Sequence, residues 1–225
     1  MGFSIGQLKE LKMPTWCEND ITIVGTKTNL TKLIKDAKQT TESSDSELNL
    51  NRLYPVPNFL EKIHSGANNI NGQRYDYWLE VENETGDIIG VNKHIEKSKR
   101  IDIGISEDTA VWIKKMFGGA NWYDWQTTNW GVKWGAYEVY SSLNIEKIEG
   151  NSKYKLDAFT QCAWGIPDGL FQKICNDYNL IMIIQYQYEG GMEGGWFRIV
   201  SEKIEAKNPN IKTGDIEVFD LAEYV

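Results

Sequence analysis

KLDAFTQCAWGIPDGLFQKICNDYNLIMIIQYQY, residues 155–188, carries the clearest run of elements in the chain. Lys155 to Cys162 reads as a strand, because Leu156, Ala158, Thr160 and Cys162 fall on one face at the period of two that a pleated backbone imposes. Pro167 suits the first position of a helix, where its missing N–H has no bond to lose. Leu170, Phe171, Ile174, Cys175 and Tyr178 then recur as one helical stripe. Leu180 to Tyr188 follows as a buried strand whose later half alternates with Gln185 and Gln187. Strand, helix, strand is the result.

The flanking sequence extends this pattern. Ala136 to Tyr140 is a strand candidate upstream, and Glu189 to Gly195 is a glycine-rich turn into a further strand, Trp196 to Val200. Near the start, Asp20 to Gly25 is short, β-branched and ends at a glycine. Asn29 then reads as the N-cap of a helix to about Lys38, with Leu30, Leu33, Ile34 and Ala37 on one stripe. Without its middle the chain reads βαββαβ, the split βαβ order. The fold expected is therefore α+β and ferredoxin-like, an antiparallel sheet with both helices on one face. A large insertion, a subdomain at about residues 40–120, follows the first helix.

Within that insertion, residues 39–51 are polar and serine-rich and read as an exposed loop. Leu53 to Leu60 holds Pro55 and Pro57, which exclude a central strand. Short strand-like runs lie near 75–81, 87–91 and 101–105. Ser106 caps a helix whose first turn carries Glu107 and Asp108 and which stops at Gly118-Gly119. After Glu202 the tail is polar, with a strand candidate at Ile216 to Phe219.

Composition narrows the function classes. The chain has 225 residues and a net charge of −8, with no block of Lys and Arg, so an extended duplex partner is disfavoured. The most basic stretch, Lys93 to Arg100, is short, contains Glu96 and reads as a solvated connector, with a local patch for a small anion as the alternative. Cys17, Cys162 and Cys175 are an odd number with no Cys-x-x-Cys pair, which points to a reducing cytosol. Residues 1–12 lack a secretory pattern, Gly6 stands where myristoylation needs Ser or Thr, and no apolar run approaches the roughly 18 residues of a membrane helix. Nine Trp and eleven Tyr leave many flat faces that either fill a core or stack a ligand.

Four marks occur in order along the chain: Met13-Pro14-Thr15-Trp16-Cys17-Glu18-Asn19 leading into a strand, the prolines Pro55 and Pro57, Asn129-Trp130-Gly131-Val132-Lys133-Trp134, and Ala163-Trp164-Gly165-Ile166-Pro167. In this the chain resembles the YubB-like family of phages and plasmids, whose members typically start with Met-Pro-Asn-Trp-Cys, where this chain has Thr15 for the Asn, and carry Asn-Trp-Gly-x-Lys-Trp and Ala-Trp-x-x-Pro. The resemblance spans residues 13 to about 200. It implies a ferredoxin-like core and a mobile-element origin, and no assigned reaction. Two departures stand out. Gly135 occupies a position where the family usually has Asp, and residues 1–12 precede the family's usual start, so Met13 is an alternative initiator and 13–225 the expected single domain.

Signs of catalysis are sparse. His64 and His94 are the only histidines and neither has a His or Cys at helical spacing, so a His/Cys metal site would require Cys17 and Cys162 to converge with one of them. Core thiols are the plainer expectation. No Gly-x-Ser-x-Gly, Walker A or Gly-x-Gly-x-x-Gly segment occurs, and Glu189 to Gly195 lies between strands, without the helix N-terminus that holds phosphate. No cofactor is expected, and the sequence leans away from an enzyme.

Trp122, Tyr123, Trp125, Trp130, Trp134 and Tyr137 crowd one segment, interleaved with Asn121, Asn129 and Lys133. One expectation is a core-covering loop that wedges indoles against the sheet. A second is a pocket in which Trp122, Trp125, Trp130 and Trp134 stack a nucleotide-like ligand while Lys133 and Arg198 meet its phosphate. On that view the protein sequesters a host nucleotide signal in counter-defence. A third is an acidic, aromatic surface that inhibits a host protein. Exposure decides among them: buried indoles remove support from binding, a concave cationic patch favours the small ligand, and a flat exposed patch favours a protein partner.

Overall fold

The computed structural model describes residues 15–38, 48–82, 100–189, 194–200 and 203–207. The expectations for residues 1–12, for Met13-Pro14, for most of the 39–51 loop, for a strand at 87–91, for His94 and nearly all of Lys93–Arg100, for the middle of the Glu189–Gly195 turn and for a strand at Ile216–Phe219 lie outside these residues. In chain order the elements are β1 (Trp16–Gly25), α1 (Lys27–Ala37), a short 3-10 turn (Leu50–Leu53), α2 (Asn58–Glu61), β2 (Ile63–Ile70), β3 (Gln73–Glu82), β4 (Arg100–Ile105), α3 (Glu107–Phe117), α4 (Trp122–Asn129), β5 (Tyr137–Ser141), β6 (Glu146–Lys147), β7 (Tyr154–Ala163), α5 (Asp168–Tyr178), β8 (Ile181–Tyr188), β9 (Gly194–Val200) and β10 (Lys203–Lys207). The architecture is mixed α+β with antiparallel sheets.

A seven-stranded sheet runs in the order β10-β9-β8-β1-β7-β5, with β6 also on β7, and a three-stranded sheet runs β2-β3-β4. Register sorts the side chains. Ile21 lies opposite Ala158 and Ile184, Ile23 opposite Leu156 and Met182, and Met182 opposite Ile199, so these residues share one face. All are buried in one cluster with Leu30, Leu33 and Ala37 of α1 and Leu170, Phe171, Ile174 and Cys175 of α5. Both helices therefore cover that face. Burying an aliphatic side chain of this kind stabilises by about 1.5–3 kcal/mol, enough to fix the register against a one-residue slip.

Local chemistry sets the element ends. The hydroxyl of Thr26, not Asn29, caps α1, accepting from the Asn29 N–H at 3.1 Å, so the helix starts earlier than expected. Pro167 sits one residue before α5, which begins at Asp168. Ser106 caps α3 and Gly118 ends it in the left-handed region (φ 84°), both as the sequence suggests. The β2–β3 hairpin was not foreseen as such; its two-residue turn is Asn71-Gly72, with φ of 52° and 84°, and the Asn-Gly pair is its sequence signal. Among the described residues no helix is long and apolar enough to cross a membrane.

Candidate functional site

The first half of the aromatic segment, Trp122–Asn129, is a helix where a loop was expected, and residues 130–134 follow it as a loop. Asn121 caps α4 by accepting from the Asp124 N–H at 2.8 Å. Gly119 lets the helix approach: a Cβ there would lie 2.2 Å from the Trp125 backbone nitrogen. Trp125 and Trp130 are each only 4% exposed and belong to the core cluster. Their rings meet edge to face at 5.8 Å, and Tyr54 meets Trp125 the same way at 5.0 Å. The Trp130 indole N–H donates to the Tyr54 carbonyl at 2.9 Å, and the Tyr54 hydroxyl donates to Asn129 Oδ1 at 2.9 Å. Burial pushes the Tyr54 hydroxyl above its usual pKa. These two indoles hold the segment to the 3-10 turn and offer no stacking face.

The loop after α4 closes against the same turn. Asn51 donates to the Ala136 carbonyl at 2.9 Å and accepts from its N–H at 3.0 Å. Gly135 has φ 65°, and a Cβ on it would lie 2.3 Å from Asn51 Oδ1 and 2.8 Å from the Trp130 ring. An aspartate, the residue the resemblance leads one to expect, would displace both neighbours.

The remaining members of the predicted set separate into two places. Lys133 Nζ sits over Trp134 at 4.6 Å, Tyr123 at 5.7 Å and Trp122 at 6.0 Å, so three rings already face a cation of the chain's own. Trp134 is 39% exposed and Trp122 half-buried. Arg198 stands opposite Ile183 in β9, on the sheet face away from α1 and α5, whereas the segment packs on the helix-covered side. Trp122, Lys133 and Trp134 come together, Trp125 and Trp130 are buried in the core cluster, and Arg198 does not join them.

A second surface went unread in the sequence. The face of β1, β7 and β5 turned away from the helices presents Trp16, Glu18 and Asp20 beside Phe159, Gln161, Tyr137 and Tyr140; the pairs Glu18–Gln161, Asp20–Phe159, Tyr137–Gln161 and Tyr140–Phe159 fix this side. Tyr137, Tyr140, Glu18 and Asp20 are exposed, and the Trp16 and Tyr137 rings are 6.1 Å apart. Asp20 makes no hydrogen bond or ion pair among the described residues. Partial desolvation, reinforced by repulsion from Glu18, raises its pKa. Of the cations on this side, Lys155 is tied to Asp157 at 2.7 Å and Glu146 at 3.3 Å, and Arg198 lies two strands from β1, on β9. At the strand end Trp164 is 50% exposed with φ 72°, its N–H donating to the Thr15 carbonyl at 2.9 Å. The available signal was the alternation 16/18/20 against the buried 17/19/21.

Cys17 and Cys162 are register partners, both fully buried and both free thiols. Burial pushes the Cys17 thiol from 9.0 up to about 12 and the Cys162 thiol upward as well, so neither is a nucleophile near neutral pH. His64 stacks on Trp78 at 4.3 Å in the second sheet. Among the described residues no three His, Cys, Asp or Glu side chains group to hold a metal ion. Comparison with known proteins gives no match to a family model, a curated protein or a solved structure.

Proposed function

We propose that the chain is a ferredoxin-like binding protein whose open sheet face docks a basic segment of a partner protein. The order β8-β1-β7-β5 supports the fold assignment: it places the fourth, first, third and second strands of βαββαβ side by side, with α1 and α5 on one face. The observation that carries the function is the joint exposure of Tyr137 and Tyr140 with Glu18 and Asp20, beside the half-buried Trp16, on the face those helices leave free.

The chemistry selects the ligand class. Four-stranded sheets that bind RNA stack bases on aromatic side chains, but their phosphates need cations nearby. Here two carboxylates, two residues apart on one strand face and thus about 7 Å apart, repel an anion and each other. A Lys- or Arg-rich segment relieves that repulsion and lays its aliphatic stems and guanidinium planes on the rings. The nucleotide pocket is less favoured, because Trp125 and Trp130 are buried and Lys133 already occupies the faces of Trp122, Tyr123 and Trp134. With the mobile-element origin that the resemblance implies, the partner would be a host protein and the role counter-defence.

The test is binding of the full chain, from host lysate and with synthetic Lys/Arg-rich peptides, followed by thermal shift with linear and cyclic nucleotides. Capture of a basic partner, lost in Glu18→Lys/Asp20→Lys and kept in Trp134→Ala, is the expected result. A nucleotide-induced shift that disappears in Lys133→Ala, with no peptide bound, would move the site to the α4 segment and sink the proposal.

A further inference from the structure

Helix α3 carries a second exposed surface, remote in chemistry from the sheet face. Its Ala110 and Ile113 point inward, while Val111, Trp112 and Met116 are 62%, 56% and 59% exposed. The apolar patch is continuous: the Trp112 ring meets Phe117 at 6.3 Å, and Phe117 meets the exposed Phe59 of α2 at 4.7 Å, both edge to face. Single exposed apolar residues need no explanation, but a linked group on one helix marks an interaction site.

The order of charge along this helix says what covers it. Asp108, Val111, Trp112 and Lys115 stand at i, i+3, i+4 and i+7, one outward stripe about 10.5 Å long. It runs acid, apolar, apolar, base. Neither Asp108 nor Lys115 has an ion-pair partner among the described residues. The helix dipole alone accounts for acids at the first turn and bases at the last. It does not account for the tryptophan and valine between them.

We infer that α3 is the contact through which two copies of this chain associate, the two helices lying antiparallel about a two-fold axis near Trp112. A stripe that is acidic at one end and basic at the other complements itself only when reversed. Asp108 of each copy then faces Lys115 of the other, and Val111 and Trp112 meet at the centre. A parallel pairing would oppose Asp108 to Asp108 and Lys115 to Lys115. Contacts of this isologous kind are the commonest way in which soluble chains dimerise. Antiparallel helix dipoles add to the attraction.

Sedimentation of the full chain from about 1 to about 100 µM tests this, because a dimer grows with concentration by mass action. A reversible monomer–dimer equilibrium is expected, weakened by salt. Asp108→Lys and Lys115→Asp should each weaken it by about tenfold or more, since each places like charges opposite one another twice. The double variant Asp108→Lys/Lys115→Asp should restore it, and an equimolar mixture of the two single variants should form a heterodimer. All these side chains point to solvent, and circular dichroism verifies that each variant is folded. A monomer over the whole range overturns the inference. So does a dimer indifferent to the single swaps, or a double variant no tighter than the singles.

Discussion

Trp130→Ala tests whether the aromatic segment is core or binding surface. The indole removed is 4% exposed, packs edge to face on Trp125 at 5.8 Å and donates to the Tyr54 carbonyl at 2.9 Å. Truncating a buried Trp costs about 3–5 kcal/mol through lost transfer energy and the cavity left behind. The Tyr54 carbonyl also loses its partner, which favours the upper end. A domain of this class has only about 5–15 kcal/mol in total, so the variant folds with little margin. At about 2–4 °C per kcal/mol for this chain length, its melting temperature should fall by about 6–20 °C in calorimetry. Trp134→Ala is the internal control. That ring is 39% exposed and faces Lys133 at 4.6 Å, a contact of about 0.5–1 kcal/mol at an exposed site. If Trp130→Ala melts within about 2 °C of the parent, the packing argument is wrong and the indole is free to stack a ligand.

Other perturbations probe the same frame. Asn51→Ala leaves the Ala136 N–H and carbonyl without the partners they have at 3.0 and 2.9 Å, and should cost about 1–3 kcal/mol for each group in urea titration. Gly119→Ala places a methyl 2.2 Å from the Trp125 nitrogen, a backbone atom that only a shift of α4 can clear, so a loss of about 3 kcal/mol or more is expected in the same assay. Burial raises Cys17 and Cys175 from 9.0 to about 12, and burial with the hydrogen bond to Asp36 raises Tyr178 from 10.0 to about 12. The folded chain thus holds protons that the unfolded chain releases. Stability is full below about pH 9 and falls as pH rises toward 12; a melting temperature flat from pH 8 to 11 would contradict this.

What could be read from the sequence was what short-range periodicity encodes. Leu170, Phe171, Ile174 and Cys175 are spaced as a helix spaces them and all are buried; Leu156, Ala158, Thr160 and Cys162 do the same for a strand. Cap position was degenerate, since Thr26 and Asn29 are both competent, and the helix enters at Thr26, whose hydroxyl takes the Asn29 N–H. β1 reads short because Trp16, Glu18 and Asp20 lie on the open face, where no burial demands aliphatic residues. α4 is short, rich in Trp, Tyr and Thr, and of its residues only Trp125 is buried, so no stripe announces it. The crowding of aromatics was legible. Which of them face water was not, because the Trp130 bond to Tyr54 and the Tyr54 bond to Asn129 join distant parts of the chain.

Trp164 links strain to use. A non-glycine residue in the left-handed region costs about 1–2 kcal/mol, and Trp164 sits there at φ 72°. Leu143, also left-handed at φ 54°, is partly buried against the core, which offsets its strain. Trp164 has half its surface in water and gains less. A glycine would hold the same turn and keep the N–H bond to Thr15 without strain. Trp164→Gly should therefore leave the melting temperature level with or above that of the parent while weakening capture of the basic partner several-fold, if this ring extends the aromatic row of the open face. Loss of stability by about 1 kcal/mol or more would instead assign Trp164 to packing and remove it from the docking surface.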